Sequence, residues 1–384
     1  MGFNFKLLFA VLYRSFWRTR GSDAQLTIKR ILVMLIMFPL YILIELANWL
    51  GFMLDEIIFP GYRRQTVNTP VFIVGVQRSG TTFLHRLMEK DNKNFTSMKL
   101  WEIIFAPSVI QKKVFNMIGF LDGRCGGLLK NLVIKLETHL FKNLTNFHKN
   151  SFFAAEEDEF VLVHIFSSLF LITMFPFADL FRPFVYFDQQ LDSKQKATIM
   201  AFYKRCVQNH LYVFGRDKHF LSKNPFFSGM IWSLNEIFPD AKFICLVRTP
   251  LEVVPSAISL WTTSLHFFLS PPDPLPLFDA QREIISHYYR YPLEQLAAMP
   301  PERQHVINYH ELVTHPVQTV SAIYTRLGFT ITPAFMAMLQ HEEEKARAYK
   351  SRHEYSLEQF GFSCKDILTA YEDIFKRFGF DRQP

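Results

Sequence analysis

Cysteine is scarce: four in 384 residues, at positions 125, 206, 245 and 364, with no pair at metal-ligand spacing. That excludes a disulfide framework or a zinc finger as the organising device. Cys245 lies inside an apolar run, and all four read as small hydrophobes. No His, Cys, Asp or Glu cluster has ligand spacing, so no metal is expected. Internal repeats and low-complexity tracts are missing as well. The formal net charge of +7 is not spread over a surface. Residues 1–30 hold Lys6, Arg14, Arg18, Arg20, Lys29 and Arg30 against Asp23 alone, and the rest of the chain is near balance. A surface that tracks a phosphate backbone is therefore not indicated, and no nucleic-acid partner is expected.

What the chain has in excess is apolar residues, 49% of the total, with 42 phenylalanines. Ile31–Leu54 carries a single charge, Glu45, and one proline, Pro39. A run of that length exceeds the roughly 20 residues that cross a hydrocarbon core. It is too long and begins too late for a secretory signal. Ahead of it, Phe3–Trp17 mixes aromatic and aliphatic residues with Lys6 and Arg14, as an interfacial helix does. We expect residues 1–60 to form a membrane anchor, single-pass or monotopic, ahead of a domain over 69–384. The basic flank before the run and Asp55-Glu56 after it favour a cytoplasmic N-terminus if the run spans.

Residues 71–82 read Val-Phe-Ile-Val-Gly-Val-Gln-Arg-Ser-Gly-Thr-Thr, an apolar strand entering a glycine turn with a helical pattern behind it. Backbone N–H groups of such a turn, with the positive end of the next helix, form an anion site. The spacing Gly75-x-x-x-x-Gly80-Thr81-Thr82 approaches the nucleotide-triphosphate loop, but Thr81 replaces its lysine. Further on, Leu221-Ser-Lys-Asn-Pro225 and a helical stretch, Met230–Phe238, precede Lys242-Phe-Ile-Cys-Leu-Val-Arg248. This second buried parallel strand delivers Arg248 to its carboxyl end. Thr249-Pro250 opens a helix that carries Ser256. Ligands of open α/β sheets sit at that edge, where an arginine fork suits a second phosphate.

These two segments resemble the 5′-phosphosulfate loop and the 3′-phosphate site of sulfotransferases that use 3′-phosphoadenosine 5′-phosphosulfate (PAPS). Ile307–Pro316 is similar to a Tyr-x-x-Leu-Val-x-x-Pro element that follows a third strand in the family. His353–Gly361 resembles the C-terminal element of sulfotransferase family 3, related to the tyrosylprotein sulfotransferases. The resemblance implies an α/β fold: a P-loop-like, mostly parallel sheet with helices on both faces, built on strands near 71–75, 242–247 and 305–309. It also implies PAPS as co-substrate. Arg78, Ser79, Gly80, Thr81 and Thr82 would hold its phosphosulfate, and Arg248 and Ser256 its 3′-phosphate.

Sulfuryl transfer needs fixed positive charge and a base for the acceptor hydroxyl. Arg78 and Lys223 are the expected charges. Glu102, among apolar neighbours, is the favoured base, resembling a glutamate that related sulfotransferases place after their first helix. His148 and one of Glu157 or Asp158 are alternatives. The run Glu156–Glu159 otherwise reads as a solvated helix start, and Phe160–Ala178 as a buried core helix or, more sharply, a helix lining the acceptor site. The anchor and the phenylalanine load point to a hydrophobic alcohol, lipid or glycolipid acceptor, with a carbohydrate as the other hydroxyl class. A Golgi-type lumen fits if the source is eukaryotic, and the cytoplasmic face if it is bacterial. The sequons at Asn94 and Asn143 permit the former. A phosphate-loop kinase and a scaffold that has lost catalysis remain the alternative functions.

Overall fold

The computed structural model describes residues 2–19, 24–140, 151–269, 278–347 and 363–381. Five strands form one sheet: β1 (Val71–Gly75), β2 (Phe95–Thr96), β3 (His219–Lys223), β4 (Lys242–Val247) and β5 (Gln304–Asn308). Their order is β2-β3-β1-β4-β5, and every neighbouring pair is parallel. β1 is buried along its whole length, as a central parallel strand covered on both faces must be. Its side chains alternate: Phe72 and Val74 enter one apolar cluster, Val71 and Ile73 another. The expected strands at 71–75 and 242–247 stand, and the third is Gln304–Asn308. β3 and the two-residue β2 lack a long apolar run and were not legible in advance.

The helices used below follow in chain order. α1 is Phe5–Trp17, α2 Ile28–Ile58, α3 Thr81–Glu89, α4 Leu100–Phe105, α5 Val109–Arg124 and α6 Leu128–Leu140. α7 is Ala178–Val185, α8 Phe187–Gln190, α9 Ser193–Phe214, α10 Ile231–Ile237, α11 Pro250–Phe268 and α12 Phe278–Ala297. α13 (Tyr309–Thr314) and α14 (Pro316–Leu327) complete the set. α3 and α14 cover one face of the sheet through Leu84, Leu87, Val320 and Ile323. α9, α10 and α12 cover the other through Tyr203, Leu234 and Tyr288. Phenylalanine does much of the filling there: the Phe72 ring lies 5.6–6.5 Å from Tyr203, Phe227, Phe238 and Phe243. Such aromatic pairs add to area burial by about 0.5–1.5 kcal/mol each.

Two expectations are corrected. Phe160–Ala178 is not one helix but two 3₁₀ segments, Asp158–Ile165 and Leu169–Thr173, with α7 starting only at Ala178. Phe166 breaks the run with φ +52°. The chain then restarts at Ser168, whose hydroxyl accepts from the Phe170 N–H. The stretch is nonetheless largely buried. The acidic run before it is no solvated helix start, because Asp158 and Glu159 are fully enclosed. Glu159 accepts from the Ser168 hydroxyl at 2.7 Å and the Leu169 N–H at 2.9 Å, which holds the two 3₁₀ segments together.

The apolar run lies within α2, a single helix that continues through Pro39. One of its sides is docked on the rest of the fold. The buried Arg30 donates to the Met174 carbonyl, and the Tyr41 hydroxyl to that of Val163. Glu45 meets His164 Nδ1 at 2.7 Å, and Asn48 donates to the Ile104 carbonyl. Asp55 caps α5, accepting the N–H groups of Val109 (2.7 Å) and Ile110 (2.8 Å). From Arg30 to Asp55 is about 38 Å of helix at 1.5 Å per residue. The polar residues of the run thus face protein, and the acidic flank expected to orient a span is used in packing. Removing an N-terminal cap costs about 0.5–2 kcal/mol. Asp55→Ala, which also orphans one buried and one part-buried donor, is expected to lower unfolding free energy by roughly 2 kcal/mol in denaturant titrations of the purified chain.

Candidate active site

β1 lies between β3 and β4, so the turn that leaves it at Gly75 has Lys223 on one side and Arg248 on the other. Chain order reverses at this position, which is where α/β sheets open a crevice. The turn requires its glycines. Gly75 has φ +130°, and a Cβ there would come within 2.4 Å of the Leu246 carbonyl oxygen. Ser228 Oγ clasps the same residue, 3.0 Å from its nitrogen and 3.2 Å from its oxygen. Gly80, at φ +95°, precedes α3, and a Cβ on it would strike the Tyr309 ring at 2.3 Å. Ser79 Oγ donates to the Val76 carbonyl at 2.6 Å, tightening the turn from within.

Arg78 is the unusual residue. Its φ is +71°, a left-handed conformation that a side chain resists. Such strain, about 1–3 kcal/mol, persists where surroundings enforce it and gathers at functional sites. Here the surroundings are β4 and α11. Arg78 Nε donates to Ser256 Oγ at 2.9 Å, and Arg248 Nη1 donates to the Arg78 carbonyl at 3.3 Å. Bonds to charged groups contribute about 1.5–3 kcal/mol each, enough to offset the strain. Arg248 is held in turn by Glu252, and its guanidinium stacks 4.2 Å above the Tyr309 ring. Tyr289 Oη donates to the Arg248 carbonyl at 2.8 Å. The residues expected to bind two separate phosphates, Arg78 with Ser79–Thr82 and Arg248 with Ser256, are thus brought into one braced cluster.

On the other side, Lys223 is 1% exposed and paired with Glu157 at 2.8 Å. Its charge is felt at Glu156, Asp158 and His85. Burial, with Lys223 adding to it, pushes His85 down to about 3, so the ring is neutral. It donates to Ser97 Oγ, whose proton goes to the Leu221 carbonyl. Asp158 accepts from Tyr203 and, at 2.8 Å, from Ser222, yet burial still lifts it to about 6. Glu159 is raised further, to about 8, again by burial.

Glu102, favoured as the base, has other work. It is 2% exposed. One oxygen accepts the Lys99 N–H in the capping box of α4, and the other meets His210 Nδ1 at 2.8 Å. His210 Nε2 lies 2.9 Å from Thr96 Oγ1, so the carboxylate ties α4 to α9 and β2. Glu157, paired with Lys223, keeps a side chain 20% exposed. His148, the His353–Gly361 element and the sequon at Asn143 lie outside the described residues. The half-buried amide of Asn94 donates to Asp91 and to the Thr330 carbonyl. Two residues went unread beforehand: Asn224, just after Lys223, and Thr249, just after Arg248. Asn224 is buried and Thr249 half-buried, and the enclosed Asn224 Nδ2 and Thr249 Oγ1 find no hydrogen-bond partner among the described residues. Orphaned donors beside a phosphate loop fit a site completed by an anionic ligand. Tyr309 was legible in its Tyr-x-x-Leu-Val motif, though its role as a plate between Gly80 and Arg248 was not.

This geometry agrees with the comparisons. Residues 70–333 match the model of the sulfotransferase family, and the chain belongs to that family. The omega-hydroxy-beta-dihydromenaquinone-9 sulfotransferases Stf3 of Mycobacterium bovis and Mycobacterium tuberculosis are similar to it. Each is 27% identical over 356 residues, 89% of this chain and 84% of the relative. Among solved structures, the sulfotransferase STF9 of Mycobacterium avium superposes with TM-score 0.69 at 19% identity, covering 86% of this chain and 82% of that one. STF1 of Mycobacterium tuberculosis gives 0.68 at 20% identity, covering 96% and 92%. These two show a shared fold.

A carboxyl raised by burial stabilises the fold below its ordinary value and loses that contribution as pH climbs through its folded value. For Asp158 and Glu159 that window runs from about 4 to about 8. We expect stability to decline between about pH 4 and 8 in urea titrations, and Glu159→Gln to flatten the upper part of the decline. An unchanged profile in the variant would place the cause elsewhere. Gly80→Ala, forced against Tyr309, is expected to abolish nucleotide binding while leaving a folded chain by circular dichroism.

Proposed function

We propose that the chain transfers a sulfuryl group from PAPS to the hydroxyl of a hydrophobic, membrane-resident acceptor. The observation that carries the donor half is the strained Arg78, braced by Ser256 and Arg248 at the mouth of a glycine turn without a kinase lysine. In this reading Ser79, Gly80, Thr81 and Thr82 present backbone N–H groups to the phosphosulfate, while Arg78 and Lys223 stabilise its charge. Arg248, with Ser256, takes the 3′-phosphate. In the transfer, the sulfur–oxygen bond to the 5′-phosphate breaks and one to the acceptor oxygen forms. The acceptor proton passes to a carboxylate. We assign that base to Glu157, which is left without its partner once Lys223 turns to the donor.

Two observations support the acceptor class. The names of the Stf3 relatives describe a hydroxylated menaquinone derivative as their acceptor. The outer faces of α1 and α2 expose Phe5, Phe9, Trp17, Leu35, Leu43 and Leu46. With its polar side docked on the fold, α2 suits a place in the membrane plane, its apolar side in the acyl region, better than a crossing. Of the alternative functions, the kinase is set aside by family and by Thr81. The inactive scaffold predicts binding without turnover.

Turnover of sulfur-labelled PAPS with a panel of long-chain alcohols and sugars tests the reading. Label is expected in the lipid phase, with sugars inert. Glu157→Gln should lower kcat by about 10²-fold or more with donor affinity retained, the scale of a general base. Glu102→Gln should cost stability rather than kcat. Label in sugars alone, or none in any acceptor, would overturn the acceptor class.

A further inference from the structure

Beyond α1 and α2, a further element presents apolar faces that no described residue covers. α5 and α6 form a helical hairpin closed by Gly126 and Gly127 at φ +82° and +72°. Asp122 fixes its geometry, accepting the N–H groups of Leu129 (2.8 Å) and Lys130 (3.0 Å). The hairpin is docked at its two ends: α5 through Asp55 at its N-terminus, Lys112 donating to the Ala106 and Pro107 carbonyls and Phe115 stacked on Trp101, and α6 through Glu137, which accepts the Phe152 N–H. Between those ends, apolar side chains stand open on several sides. Met117, Phe120, Leu128, Leu129, Leu132 and Leu136 are each more than half exposed. A helix apolar over so wide an arc is ordinarily enclosed by protein or lipid, and a patch of this size marks an interaction surface.

The charges say which partner. The hairpin's two carboxylates, Asp122 and Glu137, are buried. Its exposed charges are Lys113, Arg124, Lys130 and Lys135, all basic. Aliphatic surface set among outward cations complements the anionic face of a bilayer, with lysine and arginine stems reaching to the headgroups. Each arm is short, 16 and 13 residues, or about 24 and 20 Å, less than the roughly 30 Å of a hydrocarbon core. Neither described arm reaches across a core by itself, and lying along the interface is favoured.

We propose that α5–α6 is a second lipid-binding element, seated in the interface of an anionic membrane beside the open face of α2. The two are neighbours, since α2 packs on α5 through Asp55 and through Asn48, which accepts from Gln111. The proposal rests on the membrane reading above and extends it to a segment with no run long enough to suggest it. Held at both α2 and the hairpin, the catalytic domain cannot swing about a single tether. Its crevice keeps one orientation to the bilayer that supplies the acceptor.

A polarity-sensitive nitrobenzoxadiazole label at Leu132→Cys, in full-length chain carrying Cys125→Ser and Cys364→Ser, tests this. The remaining Cys206 and Cys245 are buried. Dilution from detergent into phosphatidylglycerol vesicles should shift the emission to the blue and raise it several-fold, with quenching by shallow spin-labelled lipid. A second label at Leu43→Cys on α2 serves as reference. A response at Leu43 with none at Leu132 would overturn the hairpin proposal and leave the anchor standing. Silence at both would overturn both. A blue shift at Leu132 that needs no vesicles and grows with protein concentration would make a second copy of the chain the occupant, again against the proposal. Equal titrations with phosphatidylcholine vesicles would overturn the assignment of anionic headgroups.

Discussion

The bracing of Arg78 is the constraint on which the site depends. Its backbone is left-handed, its guanidinium rests on Ser256, and its carbonyl receives Arg248. None of these holds without the others. Release Arg248 and the turn loses the contact that tethers it to the end of β4. Move β4 and Ser256 leaves with α11. The parallel register of β1 on β4, from Val71 opposite Lys242 to Gly75 opposite Leu246, sets that spacing. A buried sheet therefore acts at its edge: packing of Phe72 and Val74 on one face and Val71 and Ile73 on the other holds the ends of β1 and β4, and with them Arg78 and Arg248, side by side.

On the far side of the turn the economy is different. Lys223 is buried among carboxylates, of which Glu157 is in salt-bridge contact among the described residues. Taking charges out of water is costly unless they are paired, and here the pairing is partial by design of the neighbours. Asp158 and Glu159 are held up towards neutrality by burial and spend themselves on Tyr203, Ser222, Ser168 and the Leu169 N–H. Glu157, with a side chain 20% exposed, stands next to the Lys223 ammonium. In the proposed reaction these two would supply the positive charge for the donor and the proton acceptor for the hydroxyl.

Much of this was legible in the sequence, because strong local signals coincide with the site. A four-residue apolar run into Gly-x-x-x-x-Gly can hardly be other than a strand and an anion turn, and Arg248 after Phe-Ile-Cys-Leu-Val has to stand at a strand end. What was illegible depended on tertiary partners. Phe160–Ala178 has the composition of a helix, but Glu159 folds back on Ser168 and Leu169, and Phe166 turns left-handed. Glu102 had the right neighbours for a base, yet His210, more than a hundred residues away, claims it. Glu45 and Asp55 looked like a blemish in an apolar span and its acidic flank. Their partners, His164 and the start of α5, make them docking residues. The exposed hairpin had no long apolar run to announce it, since its hydrophobic character is spread over two short helices.

The central claim is that one braced arginine cluster reads a nucleotide by its 3′-phosphate. Calorimetric titration of the purified chain with 3′-phosphoadenosine 5′-phosphate, beside adenosine 5′-phosphate and ATP, tests it most directly. The account predicts tight binding of the first, at least tenfold weaker binding of the two nucleotides without a 3′-phosphate (about 1.4 kcal/mol or more), and loss of that difference in Arg248→Ala. Equal affinity for all three, or a preference for ATP that survives the substitution, would contradict it.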